Sequence, residues 1–242
     1  MSRWSVKNYI REALKLRKEN PRAFQAFRLC RFYPRWRASI RSGANPLQDE
    51  CPWITFAARE FLEAHLRPSM RVFEYGAGGS TLFFQRQRCE VFTVEHDPAW
   101  AALTKEALVK NKFSAANLRL CPPEPDPACA DKDPSDLDGY ISSAPVFKGR
   151  SFREYAEAVG GLGSFDLIMV DGRARPSSFK EAYPKVAPGG FLLLDNAERA
   201  HYHQIHDQMN AAGWKFHDFA GPGPYNTYFW QTCVWQRPAA IQ

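Results

Sequence analysis

The sequence predicts an α/β protein, a doubly wound and mostly parallel sheet of seven strands behind a basic N-terminal helical extension. Three observations carry this. From residue 52 onward, short apolar runs alternate with stretches of helical spacing, the pattern of repeated βαβ units. The runs at 91–94, 165–170 and 191–194 each end in an acid. The last two runs alternate around Gly221-Pro222-Gly223-Pro224, as an antiparallel pair would. A chain of 242 residues with 45% hydrophobic content can bury a proper core.

Taken in order, Val6, Tyr9, Ile10, Ala13 and Leu14 recur at helical spacing, with Lys7, Arg11, Lys15 and Lys18 on another face. Asn20-Pro21 reads as a cap and first helical residue of a second helix, with Phe24, Phe27 and Cys30 inward and an end before Pro34. Gly43, Asn45 and Pro46 mark a linker, which divides the chain into an extension (1–46) and a main domain (47–242). Pro52 to Leu66 is expected to be helical, ended by Pro68. A strand at 72–75, a helix from about 80, a strand at 91–94, a helix at 99–110 and a strand at 118–120 follow. Residues 122–150 are rich in proline and aspartate with little periodicity. They read as an irregular insertion, either a substrate lid lined by Tyr140 and Ser142 or a plain surface loop. Beyond it come a helix at 152–159, a strand at 165–170, a helix at 179–186, a strand at 191–194, a helix at 200–212 closed by Gly213, and strands at 214–219 and 228–235.

The most informative stretch is Val72-Phe73-Glu74-Tyr75-Gly76-Ala77-Gly78-Gly79-Ser80. A buried strand runs into a glycine turn and then a helix start, where backbone can approach a ligand and free N–H groups favour negative charge. Nineteen residues after Gly76, the next strand ends in Glu95, a spacing that suits an acid accepting hydrogen bonds from ribose hydroxyls. The unit therefore reads as a site for a nucleoside-containing cofactor. In the dinucleotide fingerprint a third glycine stands where this chain has Thr81. A carboxylate at Glu74 would repel a pyrophosphate and favour a cation.

These residues resemble motif I of the class I S-adenosylmethionine (SAM)-dependent methyltransferases, E-x-G-x-G at a strand end, and the resemblance covers about residues 52–236. It implies a Rossmann-like fold, a methyl-transfer activity, and SAM held by Glu74, Gly76, Ala77, Gly78, Gly79, Ser80, Glu95 and His96. Asp171 at one strand end and Asp195-Asn196 at the next are similar to the pattern of cation-dependent, catechol-type O-methyltransferases. That likeness implies Asp171, Asp195 and Asn196 as ligands of Mg²⁺, which takes oxygen donors. The lysine base of that family is replaced here by Ala174, so Asp171 and His201 are the candidate catalytic bases. Arg173, Arg175 and Arg199 are candidates for holding an acidic substrate group; the alternative is that they pair with Asp171 or Asp195 in a metal-free site.

The expected reaction is O-methylation of a small or sugar-like acceptor. The rivals are a metal-free methyltransferase on another atom or a macromolecule, a nicotinamide-dependent oxidoreductase, and a non-catalytic SAM binder. No apolar run approaches the length needed to span a bilayer, and no secretory h-region is seen. Six scattered cysteines without metal-ligand spacing also suit a cytoplasmic chain. The charge is uneven: net +6 overall, but residues 1–43 hold twelve Lys/Arg and two acids, net +10. A basic amphipathic segment of this kind suits an anionic membrane surface. No nucleic-acid motif accompanies the charge, so no nucleic-acid partner is expected.

Overall fold

A computed structural model describes residues 4–41 and 43–240. In chain order the elements are α1 (Trp4–Glu19), α2 (Ala26–Ser39), α3 (Pro46–Asp49), α4 (Phe56–His65), β1 (Arg71–Tyr75), α5 (Gly79–Arg86), β2 (Glu90–Glu95), α6 (Pro98–Lys110) and β3 (Leu118–Leu120). They continue with β4 (Glu124–Pro125), β5 (Arg150–Ser151), α7 (Arg153–Ala156), β6 (Phe165–Val170), α8 (Arg175–Ala182), β7 (Val186–Asp195), α9 (His203–Ala212), β8 (Lys215–Gly221) and β9 (Trp230–Gln236).

Seven strands form one sheet in the order β3-β2-β1-β6-β7-β9-β8. β1, β2, β3, β6 and β7 run parallel, and β9 and β8 close the edge antiparallel. The order reverses between β1 and β6, which opens a crevice beyond the carboxyl ends of the strands at that point. This is the Rossmann-like sheet that the resemblance implies. Its strands are apolar on both faces because helices cover both. Phe73, Ile168, Val170 and Leu192 pack against Tyr155, Phe179 and Ile205 on one side; Val72, Leu167, Met169 and Leu193 pack against Leu62, Phe83 and Phe84 on the other.

Several boundaries differ from the sequence reading. α2 runs through Pro34 to Ser39, so the proline does not end it. The inward face of α2 is Leu29, Phe32 and Trp36, whereas Phe27 and Cys30 face solvent. Trp36, Phe32 and Leu29 meet Tyr9, Leu16 and Phe56 in a shared core, and that larger apolar set fixes the helix phase. α4 starts at Phe56 rather than Pro52, because the Thr55 and Phe56 amides bond Thr232 Oγ1 and Pro222 O outside any helix. α8 begins at Arg175, with Pro176 in its first turn, rather than at Phe179.

The extension is built into the domain. Trp36 Nε1 donates to Asn226 O (2.8 Å), Asn20 Nδ2 to Asp218 Oδ2 (2.7 Å), and the Phe229 amide to Glu12 Oε2 (3.3 Å). The 122–150 insertion is pinned at its base by the two-stranded β4–β5 ribbon. Among the described residues no helix is long and apolar enough to cross a membrane.

Candidate functional site

A cavity of about 560 Å³ lies beyond the carboxyl ends of β1, β2, β6 and β7. That volume is within the range of small-molecule sites. Gly76, Ala77, Gly78, Gly79, Ser80, Glu95, His96, Asp171, Arg173, Arg175, Asp195, Asn196 and Arg199 all border it. Thus most of the residues singled out in the sequence converge on one hollow. Trp53, Trp100, Phe147, Tyr228 and Trp230 complete its walls, and nothing in their spacing had marked them.

The glycine turn has two jobs. Gly76 sits at φ +95°, and a side chain there would press on Gly172 Cα (3.1 Å), so the turns after β1 and β6 touch. At Gly79 a Cβ would lie 2.4 Å from Pro46 O and 2.3 Å from Cys51 O, so this glycine also admits the 46–51 segment against α5. The amides of the turn are not free as the sequence suggested. Gly76 N bonds Val94 O, Ala77 N bonds Glu95 Oε2 (2.9 Å) and Gly78 N bonds Thr81 Oγ1 (3.0 Å). A phosphate would find these three donors engaged, which argues against a pyrophosphate ligand here.

Glu95 is held from several sides. Its Oε1 accepts from the amides of His96 (2.7 Å) and Asp97 (2.8 Å), and its Oε2 from Ala77. Burial raises its pKa, but the His96 imidazole and the Asp97 and Ala77 amides outweigh that and hold it below the usual carboxylate value. The residue is ionised and fixed at the cavity wall. His96 Nδ1 lies 2.6 Å from Glu95 Oε1 yet is not aligned for a hydrogen bond, and no other described group bonds it. Trp100 donates its Nε1 to Ala77 O (2.7 Å), with its ring against Gly78.

Glu74 needs correction as a cofactor ligand. It is fully buried and does not border the cavity. Its oxygens accept from Thr93 Oγ1 and Ser80 Oγ, both at 2.7 Å, so it ties β1 to β2 and to the first turn of α5. Burial lifts its pKa to about 7 despite these hydroxyls and the repulsion of Glu95 adds to the rise. The folded protein therefore holds this proton more tightly than the unfolded chain does. The associated stability is present below about pH 4.5 and is lost as pH climbs through about 7. Glu74→Gln is accordingly expected to gain up to about 3 kcal/mol over the native protein above pH 7, and little in acid. Denaturant midpoints on both sides of that pH measure the difference.

The metal assignment also needs correction. β6 and β7 bring Asp171 and Asp195 to adjacent strand ends, as expected, with Asn196 at φ +51° beside them. The Arg175 guanidinium lies among these oxygens. Its Nη2 donates to Asp171 Oδ1 (2.9 Å) and Asp171 O (3.1 Å), its Nη1 to Asp195 O and Asn196 Oδ1 (3.2 Å), and its Nε to Gly172 O (3.1 Å). Asp195 Oδ2 is 3.9 Å from Nη1, while Oδ1 accepts from Trp230 Nε1 (2.8 Å) and Thr232 Oγ1 (2.7 Å). A divalent ion needs these oxygens turned toward one point; here they face a guanidinium, so Asp171, Asp195 and Asn196 do not fit Mg²⁺. Among the described residues no group of three or more His, Cys, Asp or Glu is arranged for a metal. Arg175 is likewise corrected as a substrate anchor, because its fork is occupied within the protein.

Two carboxylates share the Arg175 guanidinium, and Arg199 adds a second cation through Asn196. Burial and the neighbouring Asp195 push the Asp171 carboxyl upward, against the pull of Arg175. Asp171 borders the cavity, and no described group donates to its Oδ2. Arg173 and Arg199 are exposed at the rim; Arg173 Nε reaches His96 Nε2 (3.4 Å) and Arg199 Nη2 reaches Asn196 Oδ1 (2.8 Å). His201 does not border this cavity; it lines an adjoining hollow of about 80 Å³ that shares Arg173, Arg175 and Arg199 with it, and Tyr202 lies against its ring. From the insertion, Val146 and Phe147 overhang the main cavity. Tyr140 is instead anchored to α8, its OH on Glu181 (2.7 Å) and its amide on Ser177 Oγ (2.8 Å), while Ser142 borders the smaller hollow.

No protein-family model matches the chain, and no curated protein matches it. Among solved structures, the chain is similar to a methyltransferase-like protein from Silicibacter pomeroyi (22% identity, 77% of this chain and 88% of that one, TM-score 0.49). It is similar also to a methyltransferase from Pyrococcus furiosus (16% identity, 75% and 82%, TM-score 0.45). A third is the C-terminal domain of precorrin-6Y C5,15-methyltransferase from Rhodobacter capsulatus (13% identity, 75% and 88%, TM-score 0.46).

Proposed function

We propose that this protein is a SAM-dependent methyltransferase that methylates a hydroxyl oxygen of a small, anionic or sugar-like acceptor without a metal ion. The observation that carries the reading is the cavity wall formed by the glycine turn and the fixed, ionised Glu95, with its turn amides engaged internally. This wall suits a nucleoside with a cationic tail better than a pyrophosphate. Residues 76–79 would lie along the methionine part, and Glu95 would accept from the ribose hydroxyls. When bound, SAM supplies a methyl group made electrophilic by its sulfonium.

The remaining work falls to this chain's own side chains. Asp171, once ionised, presents its free Oδ2 to the cavity beside the place for the sulfonium. Arg173 and Arg199 at the rim hold an anionic group of the acceptor and so orient its hydroxyl. Asp171 takes the hydroxyl proton on Oδ2, its Oδ1 being held by Arg175. Trp53, Tyr228 and Trp230 offer flat apolar faces to a ring, and Val146 and Phe147 limit the access of water.

Calorimetric titration with SAM and S-adenosylhomocysteine tests the reading, followed by turnover on a panel of hydroxylated anions. Glu95→Gln keeps the shape of the side chain and removes its charge. It is expected to weaken S-adenosylhomocysteine binding about ten- to a hundredfold, the worth of a hydrogen bond to a charged group. Tight NADH binding with none of SAM would overturn the assignment in favour of a nicotinamide enzyme.

A further inference from the structure

α1 and α2 bury one face each and leave an apolar surface uncovered. On α1, Tyr9 and Leu16 point inward, but Val6, Ile10 and Leu14 are 42%, 53% and 59% exposed. On α2, Phe27 stands 84% exposed. Between the two helices runs an open groove of about 370 Å³, walled by Val6, Ile10, Leu14, Phe24, Cys30 and Tyr33. At about 3.6 residues per turn, Lys7 and Lys18 fall on the rim of this stripe beside Leu14 and Ile10, with Arg11 next to them. All three are exposed. Arg17, also exposed, lies over Phe24 from the same helix. Of the two acids in this segment, Glu12 is buried and turned inward to the Phe229 amide, so the outward charge is almost wholly positive.

We infer that this face docks on an anionic lipid surface. An apolar stripe bordered by lysine and arginine matches a bilayer interface, with apolar side chains entering the acyl boundary and cations meeting the headgroups. Charge complementarity selects the occupant: of the net +10 over residues 1–43, Arg31, Arg35 and Arg41 pair Glu60 and Asp49, whereas Lys7, Arg17 and Lys18 make no ion pair among the described residues and draw a negatively charged sheet. Phe27 projects from the helix rather than lining a pocket, which suits insertion. The same helices hold Asn226 through Trp36 and Phe229 through Glu12, in the 226–230 segment that borders the main cavity. Docking would therefore fix that wall of the cavity to the membrane.

Flotation of the full chain with vesicles tests this. Binding is expected to phosphatidylcholine–phosphatidylserine vesicles and not to phosphatidylcholine alone, and to fall as salt screens the charges. Phe27→Asp and Ile10→Asp are each expected to weaken it about tenfold or more, the worth of one buried apolar side chain. Lys7→Glu with Lys18→Glu weakens it too. All four positions are exposed, so circular dichroism and S-adenosylhomocysteine binding stay unchanged in these variants. Equal binding to neutral vesicles, or binding indifferent to both apolar variants, would overturn the inference. So would a dimer in sedimentation velocity that Phe27→Asp dissolves, since the face would then belong to a second copy.

Discussion

Replacing Arg175 with methionine is expected to lower stability by about 3–5 kcal/mol, because it leaves carboxylates at a buried strand edge without their counter-charge. For a chain of this size that is a fall of roughly 10 °C in Tm. Arg175 is 9% exposed and satisfies backbone carbonyls at Asp171, Gly172 and Asp195 as well as the side chains of Asp171 and Asn196. Methionine fills much of the volume and satisfies none of them. Arg175→Lys keeps the charge but lacks the planar fork, so it should fall between the two. The same variant series tests the reading of the corner as a guanidinium site. Thermal melts of the native protein are expected to be indifferent to Mg²⁺ and to chelator. Arg175→Met, with three oxygen side chains released, is expected to gain stability when Mg²⁺ is added. A native Tm that rises with Mg²⁺, or an Arg175→Met protein as stable as the parent, would return Asp171, Asp195 and Asn196 to the role of metal ligands.

The fold was legible because it rests on periodicity. Near-continuous apolar runs at β1, β6 and β7, separated by stretches of helical spacing, set the sheet as parallel and covered on both faces. The gathering of Glu95, Asp171, Asp195 and Asn196 at one edge was legible for the same reason: each closes a parallel strand. What spacing does not report is the direction of a side chain or its balance of charge. Glu74 lies two residues before a cavity-facing turn yet points into the face shared with α5, where Ser80 and Thr93 take it up. Asp171 and Arg175 stand four apart, a spacing that permits an ion pair, but the resemblance puts metal binding first and leaves pairing as the alternative. The choice depended on Arg175 opening α8, a boundary that the apolar pattern placed at Phe179. On the uncovered face of α1 and α2 the apolar pattern misleads in the other direction. Phe27 reads as core because it is apolar, whereas Trp36 and Phe32 fill the space against the domain.

Asp171→Asn is expected to lower kcat by about a hundred- to ten-thousandfold, the range of general-base contributions. Affinity for S-adenosylhomocysteine should change little, since Glu95 and the glycine turn are untouched. Asparagine retains an oxygen for Arg175 Nη2, so the fold should survive, and the loss can be assigned to proton transfer. The pH profile gives a second and independent reading. Burial and Asp195 raise the Asp171 pKa above the ordinary aspartate value, with Arg175 opposing. The deprotonated base is therefore gained at a higher pH than for a free aspartate, and kcat/KM should climb through an acid limb displaced upward. Asp171→Asn should remove that limb along with most of the rate. Arg175→Lys should shift it further upward if the looser ammonium stabilises the carboxylate less, which ties the position of the limb to the same guanidinium. A profile in which the limb survives in Asp171→Asn would assign the proton to another group. The surviving candidate at the cavity wall would then be His96, whose Nδ1 lies beside Glu95 without an aligned partner.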